Sequence, residues 1–258
     1  YFTFPHWKSA VTSTFLRGKT TPAIKILNHI LFFIWKLIVL PGYIYWNRID
    51  VIISPDFVAP KIRWRKVVTL PVIHDLFFWE MPQNYNPIWR PYFLWMIRRG
   101  INHQSVVLTT SNYIQEKIKA RLDFQVPIEV AYQSFRPRVQ KSQSGGNSPL
   151  FEKLSAGNYF LHVGVFDRRK NLPFLIRSFH EFAQSNTMPF YLVLAGSEGL
   201  SIRHDDWHTC KQLISDLSME DRIYMPGFVP DEDLALLYAH AQAYVFPSLE
   251  EGFGIPVL

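Results

Sequence analysis

Twice along this chain, short and nearly continuous apolar runs rich in β-branched residues alternate with stretches of helical periodicity. Strands are expected at Asp50–Ser54, Val67–Ile73, Val106–Thr110 and Ile128–Tyr132, and again at Tyr159–Val163, Phe190–Ala195, Arg222–Met225 and Ala243–Phe246. Helices are expected at Pro22–Val39, Pro87–Ile101, Asn112–Arg121, Leu172–Gln184, Trp207–Leu217 and Glu232–Ala241. Asn112 with Gln115 suits a capping box, and Asp231 after Pro230 suits an N-cap. Strands apolar on both faces with helices between them require parallel sheets covered on both sides. The fold class is therefore α/β, as two Rossmann-like domains facing a cleft. Residues 138–149 are polar, rich in Gly and Ser and without periodicity, as expected of a connector. This predicts a first domain over 1–140, a linker over 141–149 and a second domain over 150–258.

Charge divides along the same boundary. Residues 1–148 hold 19 Lys and Arg against 7 Asp and Glu, a net of +12; the remainder holds 8 against 14, a net of −6. Seven of the eight Trp also lie in the first hundred residues. Basic plus aromatic fits an anionic membrane surface, an anionic acceptor or nucleic acid, or simply a basic face over an aromatic core. No helix-turn-helix, zinc-finger or RNP-type motif accompanies it, which argues against nucleic acid. The single cysteine, Cys210, excludes an intramolecular disulfide framework and any Cys-built zinc site, and fits a reducing, cytoplasmic setting. Ile30–Trp46 is apolar, but it has only 17 residues, carries Lys36 and is expected to break at Pro41-Gly42. A span needs about 20 apolar residues, so a buried helix or an interfacial segment is expected instead. The chain opens without Met and stops within Ile255-Pro256-Val257-Leu258, so both domains are expected to be truncated.

In open α/β sheets ligands bind beyond the carboxyl ends of the strands, which selects the residues to inspect. After Tyr159–Val163 comes Gly164-Val165-Phe166-Asp167-Arg168-Arg169-Lys170-Asn171, three cations ahead of a helix start. Free N–H groups and cations there favour phosphate, as a departing diphosphate needs, although a solvated basic turn would read alike. Gly196-Ser197-Glu198-Gly199 follows the next strand and would let backbone approach a ligand. There is no G-x-G-x-x-G and no G-K-[ST] loop, which argues against a dinucleotide dehydrogenase and a P-loop NTPase. After Ala243–Phe246 come Pro247-Ser248-Leu249-Glu250-Glu251-Gly252-Phe253-Gly254, whose carboxylates suit sugar hydroxyls. In the first half, Val67–Ile73 runs into His74-Asp75, where a histidine can polarise a reacting hydroxyl.

Together these strand ends resemble the GT-B glycosyltransferases of the retaining family 4 type (glycosyl transferases group 1), mannosyltransferases among them. The matching stretches are Val72-Ile73-His74-Asp75-Leu76, Thr109-Thr110-Ser111-Asn112, Phe160-Leu161-His162-Val163-Gly164 through Arg169-Lys170-Asn171-Leu172, and Leu192-Val193-Leu194-Ala195-Gly196. Met225-Pro226-Gly227-Phe228-Val229-Pro230 and the run from Phe246 to Leu258 complete them, the last being the most specific. The resemblance implies that Arg169 and Lys170 hold the donor diphosphate. It implies that Glu251 is the first glutamate of the E-x7-E motif and contacts the donor sugar, with the backbone of Gly252, Phe253 and Gly254 alongside. Gly164 and Gly196 would form donor-site turns. His74 would sit near the reacting centre, with Asp75 and Ser111 on the acceptor side.

Departures from the pattern are specific. The second glutamate, the ribose contact, would fall just after Leu258, and the family's N-terminal Gly-rich loop is missing, so the fragment as given is expected to be inactive. Val165 stands where some relatives carry Arg, and Tyr132-Gln133-Ser134-Phe135 where many read Asn-Gly-Val-Asp. Asp231-Glu232-Asp233 matches a metal-binding D-x-D formally, but a carboxylate-rich helix start explains it. His204-Asp205-Asp206-Trp207-His208 reads as a chance cluster, so no metal and no cofactor is expected. The leading function is transfer of a hexose, mannose or glucose, from a GDP- or UDP-linked sugar to a glycan or lipid-linked acceptor with retention, in polysaccharide biosynthesis of the cell envelope. The alternative is a non-catalytic, membrane-associated nucleotide-sugar-binding protein of the same fold. The expected location is cytoplasmic, peripheral on the inner face of the membrane through the basic half, with no nucleic-acid partner.

Overall fold

The structure is a computed structural model that describes residues 22–62, 67–134, 154, 158–198 and 205–255. The chain divides into two compact units between Tyr132 and Gln133. The expected linker over 141–149 lies outside the described residues.

The first unit carries a parallel sheet of β1 (Val51–Ser54), β2 (Val68–Ile73), β3 (Val107–Thr109) and β4 (Ile128–Val130), in spatial order β1-β2-β3-β4. Its helices are α1 (Pro22–Ile34), α2 (Leu40–Trp46), α3 (Phe77–Glu80), α4 (Trp89–Gly100) and α5 (Asn112–Arg121). The apolar stripe of α5, Ile114 and Ile118, meets Ile73, Leu76 and Val107 in one core. A second, aromatic core gathers Phe93, Met96 and Ile97 of α4 with Val58, Phe57 and Phe78.

Two local expectations are corrected here. Ser111, not Asn112, caps α5: its Oγ accepts from Ile114 N at 3.3 Å, while Gln115 donates instead to Ile128 O at 2.6 Å. Serine in extended backbone can turn its hydroxyl onto the third amide beyond it, which Asn112, already helical, cannot do. The apolar run also does not break at Pro41-Gly42. A π-helical turn, Trp35–Val39, links α1 to α2, and Leu40 N reaches back to Trp35 O. Proline has no N–H to place in the ladder, and a widened turn ahead of it accommodates that loss. Among the described residues of this rod, Leu40 and Ile44 are buried, whereas Ile38 is 67% and Trp46 81% exposed. A uniformly buried helix is thus not what forms. Among the described residues no helix is long and apolar enough to cross a membrane.

The second unit carries β5 (Tyr159–Val163), β6 (Tyr191–Ala195), β7 (Ile223–Gly227) and β8 (Ala243–Tyr244), all parallel, in order β7-β6-β5-β8. Helices α6 (Leu172–Ser185), α7 (Trp207–Asp216) and α8 (Asp231–His240) complete it. One face of the sheet packs on α6 and α7 through Leu172, Ile176, Phe179, Cys210 and Ile214. The other packs on α8 through Leu161, Val193 and Leu237, with Tyr159 Oη donating to Leu237 O at 2.7 Å. Helix α8 begins at Asp231 itself, with Pro230 as the N-cap residue, so Asp231 is not the cap. Proline's fixed φ holds the extended backbone that a cap position needs.

The chain builds outward from β5 to β6 and β7, then returns to place β8 on the other side of β5. The order therefore reverses between β5 and β8. A crevice opens outside the carboxyl ends of strands at such a reversal.

Candidate active site

The two loops that leave this reversal are Gly164–Asn171 after β5 and Val245–Gly254 after β8, and they are tied together. Leu249 N donates to Arg169 O at 2.8 Å, and Asn171 Nδ2 donates to Pro247 O at 3.4 Å. The first loop winds into a single 3-10 turn, Arg168–Lys170, started by Asp167, whose Oδ1 accepts from Arg169 N at 3.0 Å. Asn171 leaves it in left-handed backbone (φ 56°), which asparagine tolerates better than most residues, and α6 starts at once.

That winding turns two of the three cations inward. Glu251 accepts from Arg169 Nη1 through Oε2 at 2.7 Å and from Lys170 Nζ through Oε1 at 2.5 Å. Lys170 is buried and lies over the Phe246 ring, 5.3 Å from its centroid, while Arg168 faces outward toward Asp206 at 3.6 Å. Burial would raise the Glu251 carboxyl, but the Lys170 hydrogen bond and the Arg169 charge outweigh it and hold the group below the usual carboxylate range. The site thus presents a fixed carboxylate with two cations at the carboxyl end of β5, beside the start of α6.

The glycines set how closely the strand ends approach. A Cβ on Gly196 would lie 1.8 Å from Gly164 O, so only glycine fits. Beneath Gly164 lies His162, a buried histidine within an otherwise apolar strand. Its Nδ1 donates to Val245 O at 2.9 Å, since a carbonyl can only accept, and this leaves the lone pair of the neutral ring on Nε2. Nε2 is buried without a partner among the described residues, on the side where a Gly164 Cβ would contact both it and the Lys170 stem at 3.5 Å. Burial lowers the His162 pKa; the Val245 bond opposes this and the Lys170 charge adds to it.

Of the residues singled out by sequence, Arg169, Lys170, Glu251, Gly164 and Gly196 come together, and Gly252, Phe253 and Gly254 continue the same loop, Gly254 at φ 83°. His74, Asp75 and Ser111 belong to the first unit. His74 stands at the carboxyl end of β2 and donates through Nε2 to Pro55 O at 2.8 Å; Asp75 Oδ1 accepts from Phe77 N at 3.2 Å. Sequence reasoning passed over His162, Phe246 and Asn171 as site residues. A lone polar residue inside an apolar strand was the available signal for His162; the other two carried none beyond their place in the motifs.

The acidic motif Asp231–Asp233 forms the first turn of α8, where negative charge meets the helix's positive end. Asp205 Oδ1 accepts from Trp207 N, which opens α7. No group of three metal-ligating side chains gathers among the described residues; His204 lies outside them.

Residues 151–258 match the family described as glycosyl transferases group 1. The chain is also 30% identical over 234 residues to the O-antigen chain mannosyltransferase B of Escherichia coli, covering 87% of this chain and 56% of that protein. Residues 151–258 thus carry the glycosyl transferases group 1 domain. Solved structures agree on the fold of the chain. Sucrose-phosphate synthase from Thermosynechococcus elongatus superposes with a TM-score of 0.65 at 16% identity, over 92% of this chain and 59% of that one. Anabaena HepE, solved in complex with UDP and glucose, superposes with a TM-score of 0.57 at 19% identity, over 74% of this chain and 50% of that one. The fold is GT-B, and the chain spans about half the length of the curated relative it matches.

Proposed function

We propose that the protein moves a hexose, mannose in the first instance, from a nucleotide-diphosphate sugar to a hydroxyl of a glycan or lipid-linked acceptor, with retention and without a metal. The observation that carries this reading is the convergence of Arg169, Lys170 and Glu251 at the strand-order reversal. Two adjacent cations at a helix start suit a diphosphate, and a carboxylate locked in its ionised form suits sugar hydroxyls. As the bond from the sugar's anomeric carbon to the diphosphate oxygen breaks, negative charge grows on that oxygen. Arg169 and Lys170, already desolvated and oriented, stabilise it more than they stabilise the ground state. The cations do here what a divalent ion does in metal-dependent transferases.

In this reading the acceptor hydroxyl bonds to the anomeric carbon on the face the diphosphate leaves, and its proton passes to the departing oxygen. Glu251 accepts from donor-sugar hydroxyls, the backbone at Gly252, Phe253 and Gly254 lines the same pocket, and Gly164 and Gly196 admit the diphosphate. His74 orients the acceptor, with Asp75 and Ser111 shaping its side. Mannose and an O-antigen-type glycan are supported by the Escherichia coli relative's name, and a nucleotide sugar by the UDP and glucose of HepE. A cytoplasmic enzyme resting on an anionic membrane leaflet fits the net charge of +12 over residues 1–148.

The test is transfer or donor hydrolysis by the intact protein across GDP-mannose, UDP-glucose, UDP-GlcNAc and dTDP-rhamnose with EDTA present. Turnover of GDP-mannose, lost in Glu251→Ala and Lys170→Met, is the expected result. Activity abolished by EDTA and restored by Mg²⁺ or Mn²⁺ overturns the metal-independent mechanism. Silence on every donor overturns the transferase reading for this panel.

A further inference from the structure

One buried lysine in the first unit has no part in the reading above. Lys36 sits in the π-helical turn after α1, one-sixteenth exposed, and its ammonium crosses to the loop that leaves β1. There it donates to Asp56 Oδ1 at 2.9 Å and to Val58 O at 2.8 Å. These two acceptors flank a single residue, Phe57.

Phe57 adopts left-handed backbone at φ 68°, an outlier for a bulky aromatic residue. Strain of this kind persists only where the surroundings over-determine it, and it concentrates at sites that do something. Here the surroundings are explicit. Lys36 grips the chain on either side of the strained residue, and the Phe57 ring is wedged edge-on against Phe78, with centroids 5.6 Å apart. The consequence falls on the neighbouring histidine. Phe57 meets the His74 ring edge-to-face at 5.6 Å, and Pro55 O, two residues before Phe57, accepts from His74 Nε2 at 2.8 Å. The strained loop therefore supplies both a wall and a hydrogen-bond anchor to the imidazole. Because a carbonyl only accepts, the anchor puts the ring proton of neutral His74 on Nε2 and the lone pair on Nδ1.

We propose that Lys36 is a positioning residue: it clamps the Pro55–Val58 loop in its strained form and so fixes the tautomer and orientation of His74. The catalytic consequence rests on the reading of His74 as the acceptor-orienting group; the structural claim does not. A simple tie between a helix and a loop would not require left-handed backbone at a phenylalanine, nor bring the loop's carbonyl onto a ring nitrogen. The π turn has its own place in this account, since such turns recur at functional sites and this one carries the clamp.

The experiment is long-range ¹H–¹⁵N correlation of the histidine side chains in the intact protein, at a pH where the rings are neutral, with His74 assigned by difference from His74→Ala. In the wild type His74 is expected as a single Nε2–H tautomer. Lys36→Met keeps the stem but removes the ammonium; it is expected to give a mixture of tautomers. It should also lower kcat by about tenfold to a hundredfold, the scale of a misplacement near 1 Å, with KM for the nucleotide sugar within about twofold. A folded Lys36→Met protein that retains the single tautomer overturns the proposal. If Lys36→Met does not fold, Asp56→Ala removes half the clamp from its half-exposed side, and an unchanged His74 spectrum there overturns it equally. A His74→Ala protein that transfers sugar at the wild-type rate refutes the role of His74, while the tautomer measurement still decides the clamp.

Discussion

Glu251 and Lys170 form a contact whose two halves should not cost the same to remove. At 2.5 Å and an effective dielectric constant near 20, their gross attraction is about 7 kcal/mol. Desolvating the two ions opposes most of that, at several kcal/mol each, so the net value of the pair is small. What differs is what each truncation leaves behind. Glu251→Ala leaves the Lys170 ammonium, with its side chain 7% exposed, without its carboxylate and beside Arg169. Uncompensated buried charge of this kind costs about 3–5 kcal/mol. Lys170→Met leaves Glu251 bonded to Arg169 at 2.7 Å and preserves most of the stem's packing, so only a charged hydrogen bond is lost, about 2 kcal/mol. The double variant should cost far less than the sum, with a coupling of at least about 2 kcal/mol. Urea unfolding read by hydrogen exchange at β5 amides is the assay, because tryptophan fluorescence would report mainly on the other unit, which holds seven of the eight. The reasoning is wrong if Lys170→Met costs as much as Glu251→Ala, or if the two costs add to within about 0.5 kcal/mol.

Acidification should weaken the second unit by a defined route. His162 titrates below its ordinary value of 6.5 when folded, so the unfolded chain binds the proton first; stability is full above about 6.5 and falls as pH drops through the folded pKa. Glu251, also lowered, has its contribution intact above the ordinary carboxylate range and loses it only in stronger acid. His162→Asn, which keeps a donor for Val245 O but cannot titrate, should flatten the upper part of this slope in unfolding measurements between pH 5 and 7. Gly196→Ala should abolish folding of the second unit, seen as loss of exchange protection, because its Cβ would lie 1.8 Å from Gly164 O. Ser111→Ala should cost about 1 kcal/mol by removing the α5 cap, with Asn112→Ala near neutral; equal costs in urea would return the cap to Asn112.

Much of the second unit could be read from sequence because its signals are local. Tyr159–Val163 was expected with the bounds it has, and α5 likewise in the first unit, since continuous apolar runs and 3.6-residue stripes are written in adjacent residues. The ends of elements were not. β8 is only Ala243–Tyr244 where four residues were expected, because pairing to β5 covers just those two positions and the chain then turns into the site loop. The rod across Trp35–Trp46 was misjudged at Pro41-Gly42 for a related reason. Proline's missing donor is a local fact, but the π turn that accommodates it depends on what the rod packs against.

By itself, then, the sequence determined the class of fold, its division in two and the residue types gathered at the strand ends, all of which follow from periodicity, turn chemistry and motif. It placed two cations and a carboxylate on separate loops. Only the tertiary structure decided that they meet. Arg169 and Glu251 are 82 residues apart, and their contact exists because β8 returns to the far side of β5 and brings its loop over the 3-10 turn. The same holds for Lys36 and the strained Phe57 beside His74. A lysine's partners cannot be inferred from its neighbours in the chain when burial, not proximity in sequence, is what compels it to find them.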